Sequence, residues 1–262
     1  MALFTDGPMS TLDQLAAEDT AVLDVASTEG IDATAKLSLA QEELGVELVS
    51  AFSRAPFSNP SLWWPGSPLS FQPTLQLSNM VVTAPLRLWH TFHTLSMIYR
   101  DAYNSQLSDR YLGKWNAYTK LAKWASDMLF QTGIGMVANP VPIAANPQVS
   151  VVDGPFSAAT YFAQVTWLNS SGQEGMASGV TSLNAPDQSS IQVTAINPPA
   201  SAIAWNIYVG TSIDSVTLQN SAPIQVGETW ILPPSGLISG SAVGTGQSPD
   251  SFRPAPRYLQ RG

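Results

Sequence analysis

Apolar positions recur every three or four residues through the first half of the chain, and in the second half they alternate in short runs. The first pattern predicts helices, the second strands. Ser10 or Thr11 can cap a first helix that carries Leu12, Leu15, Ala16, Val22 and Leu23 on one side, with Asp13 and Glu18 near its start, until Gly30 ends it. Asp32 can cap a second, "ATAKLSLAQEELGVELVSAF", in which Leu37, Leu44 and Leu48 share a face with Ala40 and Ala51. Residues 54–73 contain five prolines and cannot be regular structure, because each proline removes a donor and restricts the residue before it. The segment nevertheless holds Phe57, Trp63, Trp64 and Phe71, which makes it a candidate interface loop packed over a core or a neighbour, with an aromatic ligand platform as the sharper alternative.

Thr83 followed by Pro85 starts a third helix whose stripe is Leu88, Phe92, Leu95, Tyr99, Ala102 and Tyr103. A fourth restarts at Ser108 or Asp109, turns Leu112, Trp115, Leu121, Trp124, Met128 and Leu129 predominantly inward, and closes at Gly133. The last two helices form an antiparallel hairpin.

Beyond "NPVPIAANP" the period changes to two. The runs "QVSVV", "TYFAQVTWL", "SIQVTAI", "AIAWNIYVGT", "VTLQ" and "TWIL" alternate with Gly, Asn, Pro and Ser turns, and Tyr161, Ala163, Val165 and Trp167 fall on one side of their strand. The expected fold class is α+β and multidomain. Residues 1–139 form a helical domain, 140–147 a stiff Pro-rich linker, 148–245 a β-sandwich of about seven strands, and 246–262 an extended tail.

Composition narrows the function classes. Only 11% of the residues are charged, against 44% hydrophobic, so much of the surface is uncharged or covered by neighbours, as in a subunit of a larger assembly. The net charge of −8 is uneven: residues 1–50 carry ten acids and one base, residues 51–145 three acids and seven bases, and residues 146–245 five acids with no Lys or Arg. An acidic first segment and a basic helical one can pair, within a subunit or between neighbours. No basic patch is dense enough for a nucleic-acid binder, and no apolar run is long enough to span a membrane. The N-terminus lacks a basic n-region and an apolar h-region, and with no cysteine, disulfides and thiolate metal sites are excluded. The expectation is a protein made in a cytoplasm.

Candidate chemistry is sparse. His90 and His93 stand at i, i+3, a spacing that can supply two metal ligands, but the Glu of a zincin motif and a third ligand are missing, so hydrogen bonds from a helix face are expected. Glu42, Glu43 and Glu47 lie on the polar side of an amphipathic helix and read as a solvated or interfacial face. There is no GxSxG elbow, P-loop or dinucleotide fingerprint, and "NSSG" from Asn169 is turn chemistry. No cofactor and no enzymatic activity are expected.

Two stretches carry a resemblance. "ATYFAQVTWLNSSGQEGMAS" followed by "AWNIYVGTS" resembles fibronectin type III and related Ig-like modules of phage structural proteins, with Tyr161, Gly172, Ser178, Trp205 and Tyr208 at strand and turn positions. "IDATAKLSLAQEELGVEL", the segment from "APLRLWHTF" to "FQTGIGMV" and the closing "SPDSFRPAPRYLQRG" resemble tailed-bacteriophage head-to-tail adaptors, the connector or head completion proteins of the neck. The resemblance implies a virion protein in a homo-oligomeric ring of about twelve copies beneath the portal. It implies contacts with the portal protein and with the tail or a second neck protein, helices near the viral DNA in the channel, and no membrane. The tail that would dock into the portal contains Phe252, Arg253, Arg257, Tyr258, Leu259 and Arg261. A receptor- or glycan-binding tail or baseplate appendage and a capsid decoration protein are the alternatives.

Overall fold

The structure, a computed structural model, describes residues 1–54, 76–106 and 109–254. It is α+β: five α-helices and three antiparallel sheets divide between two units. The helical unit is built on Gly7–Ala138 and the segment from Pro249 onward; the β unit combines Met1–Asp6 with Asn139–Ser248. The chain therefore passes between units three times, after Asp6, Ala138 and Ser248.

In the helical unit α1 (Leu12–Glu18) opens with a capping box: the Thr11 hydroxyl accepts from the Gln14 N–H, and the Gln14 side chain accepts from the Thr11 N–H. The single helix expected up to Gly30 is two, because residues 19–21 leave the helix before α2 (Val22–Thr28). Asp19 adopts an extended conformation there, its carboxylate accepting from the Ala21 N–H while its other contacts hold it inside the unit. Gly30, at φ +65°, ends α2, and the Ile31 N–H returns to the Ala26 carbonyl. Asp32 then caps α3 (Ala33–Arg54), accepting from the N–H groups of Thr34 and Ala35 at 2.9 and 3.0 Å. Leu37, Ala40, Leu44 and Leu48 are buried on one face of α3, as the periodicity indicates.

Helix α4 (Ala84–Gln106) packs against both α3 and α5 (Asp109–Thr132). It is buried well beyond its expected stripe: Leu86, Trp89, Met97 and Ile98 are as enclosed as Phe92, Leu95, Tyr99 and Ala102. Its buried hydroxyls bond one turn back, Thr91 to the Arg87 carbonyl and Thr94 to the His90 carbonyl. Rings close the α4–α5 seam, Tyr118 stacking on Tyr99 at 5.7 Å and on Phe92 at 6.4 Å between centroids.

The inward face of α5 departs from expectation. Tyr111, Ala122, Ala125, Ser126, Leu129 and Phe130 are buried, whereas Leu121, Trp124 and Met128 lie outside at 39%, 52% and 37% exposure. Small residues at 122, 125 and 126 let the two helix backbones approach, and the larger stripe points away. Gly133, at φ +99°, closes α5 and leads into β1 (Ile134–Met136).

The β unit holds two antiparallel sheets. One orders β2 (Gln148–Phe156), β5 (Ser189–Thr194) and β9 (Thr229–Ile231); the other orders β4 (Thr181–Ala185), β3 (Ala159–Leu168), β6 (Ala204–Gly210) and β7 (Thr217–Leu218), with β8 (Ile224–Gln225) also on β6. Tyr161, Ala163, Val165 and Trp167 of β3 share one core with Ile191 and Val193 of β5 and with Trp205, Ile207 and Val209 of β6. The alternation read for β3 thus sets its buried face.

Residues 140–147, read from their prolines as a linker, lie within this unit, with Val141 and Ala144 in its core. The Val141 N–H donates to the side-chain carbonyl of buried Gln247, whose amide donates to the Asn139 carbonyl and the Gln173 side chain. A Pro-rich stretch can pack as tightly as a strand when side-chain amides take up its backbone groups. The first six residues also belong here: Leu3 and Phe4 are buried, and the Asp6 carboxylate accepts from the N–H groups of Leu3 and Ile143. Burial raises the Asp6 pKa in spite of those two bonds.

Candidate functional site

Three features of the helical unit bear on function, beginning with the C-terminal segment. Residues after Ser248 do not continue the β unit but add a strand, β10 (Ser251–Arg253), to β1, pairing Ile134 with Arg253, Gly135 with Phe252 and Met136 with Ser251. Asp250 locks the register, its N–H donating to the Met136 carbonyl while its carboxylate accepts from the Ala138 N–H at 2.8 Å. Two glycines permit the approach. A Cβ at Gly135 would stand 2.9 Å from Pro249 and from Thr83, and one at Gly133 would meet Phe252 and the Arg253 backbone at 3.1–3.2 Å. The opposite edge of β1 is also used, since the Val81 N–H donates to the Gly135 carbonyl and the Val137 N–H to the Asn79 carbonyl.

Of the expected docking residues, Phe252 and Arg253 therefore sit on an ordered strand, Phe252 with 56% of its surface exposed. Arg257, Tyr258, Leu259 and Arg261 lie outside the described residues, as do Phe57, Trp63, Trp64 and Phe71 of the expected interface loop.

The second feature is a pair of outward helix faces. On α3, Leu39 and Val46 are 39% and 72% exposed, with Glu42 between them on the same face. On α5, Leu121, Trp124 and Met128 form the stripe described above, with Lys120 beside it. The periodicity of α5 contained this signal, because its apolar residues fill more than one face and one helix side cannot bury them all.

The third feature is a pair of buried polar clusters. Asp19, with its side chain 5% exposed, accepts from Lys114 Nζ at 2.6 Å and from the hydroxyls of Tyr99 and Tyr118 at 2.7 and 2.9 Å. Burial raises the Asp19 pKa, and the bonds from Lys114, both tyrosines and the Ala21 N–H outweigh it, so the net shift is downward. The same desolvation and the Asp19 charge push both tyrosines well above their ordinary value. Every partner donates to a carboxylate that stays charged, an arrangement that joins α4 and α5 to the break between α1 and α2.

His90 and His93 do not converge. His90 Nε2 lies 3.0 Å from the Leu37 carbonyl, which can only accept, so Nε2 carries the proton and Nδ1 accepts from the Ser10 hydroxyl at 2.9 Å. Burial lowers the His90 pKa and holds the ring neutral. His93 instead meets Glu43 at 2.7 Å. Among the described residues no group of three His, Cys, Asp or Glu side chains is placed to hold a metal, and no helix is long and apolar enough to cross a membrane.

No family model matches the chain, and a search of curated proteins gives no match.

Proposed function

We propose that this chain is a structural virion protein, a head-to-tail adaptor of a tailed-phage neck, rather than an enzyme. The observation that carries the reading is the return of the chain to the helical unit after the β unit. β10 is clamped to β1 by Asp250, so the Arg-rich C-terminus starts from a fixed point on a helical body. A segment launched in this way can order on a partner, and Arg257 and Arg261, beyond the clamped strand that carries Arg253, offer charge-assisted bonds to acidic groups on it. The partner in this reading is the portal protein, with the tail or a second neck protein beyond, in a ring of about twelve copies around the DNA channel.

The β unit supports an Ig-like reading of its domain. Taken as strands B, C, E, F and G, β2, β3, β5, β6 and β7 reproduce the B–E and C–F–G neighbours of that sandwich. Trp167 on β3 is buried where strand C carries its core tryptophan, and β9 occupies the place beside E that strand D takes in Ig domains. Such a module binds or stiffens.

Two measurements test the function. Quantitative mass spectrometry of purified virions should give about one copy per portal subunit, on the order of a dozen; a few copies indicate an appendage, hundreds a decoration protein, and none ends the virion reading. Truncation after Pro254 keeps the β1–β10 pairing and should abolish binding to the portal protein without changing thermal stability. Unchanged binding would remove tail docking from the proposal.

A further inference from the structure

Strand β2 ends its sheet, pairing with β5 alone, and the register fixes which of its backbone groups are left over. The Leu232 N–H donates to the Ile191 carbonyl, so Ile191 of β5 turns its backbone toward β9 while Ser190 and Gln192 turn theirs toward β2. Val152 and Ser150 stand opposite those two and form the ladder, which the Gly154 N–H continues to the Gln188 carbonyl. The N–H and C=O groups of Val149, Val151 and Asp153 therefore point away from the sheet. None of them has a hydrogen-bond partner among the described residues.

The side chains along this edge are as open as its backbone. Val151 lies opposite Ile191 of the core, hence on the inward side, yet it is 42% exposed. Val149 on the same side is half-buried, as is Leu183 of β4, the strand that ends the other sheet and packs near β2. Asp153, two residues further along the same side, is exposed and has no ion-pair partner among the described residues. Residues 146–245 contain no Lys or Arg that could supply one. Proteins ordinarily blunt such an edge with Lys, Pro or a bulge. Here Pro155 and the bulge after Asp153 stop the template at its end, and the run from Gln148 to Asp153 ahead of them keeps an unbroken register.

We infer that this edge accepts an extended segment of a partner protein as an added antiparallel strand, with a Lys or Arg opposite Asp153 and apolar side chains opposite Val151 and Val149. Main-chain bonds to these three residues supply the binding, and the alternate side chains select the sequence. The antiparallel sense follows the rest of the sheet. Read along the partner, the pattern is a cation followed by apolar residues two and four positions on. Charge selects against a second copy of this chain. Two β2 edges paired about Val151 would set each Asp153 opposite Val149, without a cation, and would bring two acidic units together. The inference goes beyond the neck reading and does not depend on it.

The probe is the peptide acetyl-Thr-Arg-Thr-Val-Thr-Val-Thr-amide, and the readout is residue-resolved amide hydrogen exchange on the full chain. With about 5 mM peptide, exchange at Val149, Val151 and Asp153 should slow at least about threefold, as for a dissociation constant of about 2 mM, with Ile207 and Val209 of β6 unchanged. N-methylation of the first valine, whose N–H would donate to the Val151 carbonyl, should abolish the effect. N-methylation of the threonine between the valines, whose N–H would face solvent, should spare it. A peptide with Glu in place of Arg should bind several-fold more weakly, and Asp153→Lys, at an exposed position, should reverse the ranking of the two peptides.

Unchanged exchange at the three amides with the peptide present would overturn the inference, as would equal protection by the Arg, Glu and N-methylvaline peptides. Slow exchange at these amides in the peptide-free chain would overturn it as well. Loss of that protection on dilution would assign the edge to a second copy, and its persistence on dilution to another part of the same chain.

Discussion

Each unit surrounds a carboxylate with tyrosine and other donors, and only the helical unit adds a cation. Asp19 in the helical unit has Lys114 Nζ within 2.6 Å as well as two tyrosine hydroxyls. Glu174 in the β unit accepts from Tyr208 at 2.7 Å, from Asn206 Nδ2 at 3.1 Å and from the Thr166 hydroxyl, and residues 146–245 contain no Lys or Arg to add. Position explains the difference. Asp19 is nearly enclosed at a helix break and requires a counter-charge, whereas Glu174 is half-buried over the β3–β6 face and keeps contact with water. The first site is a structural ion pair, the second a carboxylate held by neutral donors alone.

The largest consequence falls on Asp19→Ala. It removes the acceptor for two tyrosine hydroxyls and Lys114 and the cap on Ala21, and should cost the helical unit about 3 kcal/mol. Amide hydrogen exchange resolved by segment checks it: protection should fall in α4 and α5 and stay unchanged in β3 and β6. Equal losses in both units would break the comparison by making them one cooperative body. Glu174→Ala should act in the reverse sense and less strongly, lowering protection in β3 and β6 by about 2 kcal/mol, with Glu174→Gln recovering most of it because the amide oxygen still accepts from Tyr208. A Gln variant as damaging as Ala would show that the charge matters more than the bond.

These two sites also mark where sequence reasoning stopped. Period and caps placed the α3 and α5 boundaries closely, because Asp32, Gly30 and Gly133 act within a few residues of themselves. The inward side of β3 was legible for the same reason, strand alternation being a local property. The break at Asp19 was not legible, since its cause is Lys114 and Tyr118, some ninety-five residues or more away in sequence. The packing of residues 140–147 was hidden likewise, depending on Gln247 more than a hundred positions on. On α5 the apolar residues outnumber one face, and only the partner helix decides which stripe is covered; Ala122, Ala125 and Ser126 won because small side chains let α4 approach. The β10 segment read as part of an extended tail because Ser251–Arg253 is too short to carry a period.

A smaller effect distinguishes the units by pH. Burial lowers the His90 pKa below its ordinary 6.5, with the charge of His93 one turn away acting in the same direction. An unfolded chain then binds a proton that the folded one refuses. The contribution of neutral His90 is complete above pH 6.5 and is lost as pH falls from there through the lowered folded value. By pH 5.5 the loss reaches at most about 1.4 kcal/mol, and it belongs to the helical unit alone. Segment-resolved exchange between pH 7.5 and 5.5, corrected for intrinsic rates, should show α4 losing protection relative to β3. His90→Gln, which keeps a donor for the Leu37 carbonyl and an acceptor for Ser10, should flatten that slope, whereas His93→Gln should leave most of it. A slope that survives His90→Gln would mean that the sensitivity lies elsewhere in the helical unit, and the buried ring would then be a packing element without a titration to report.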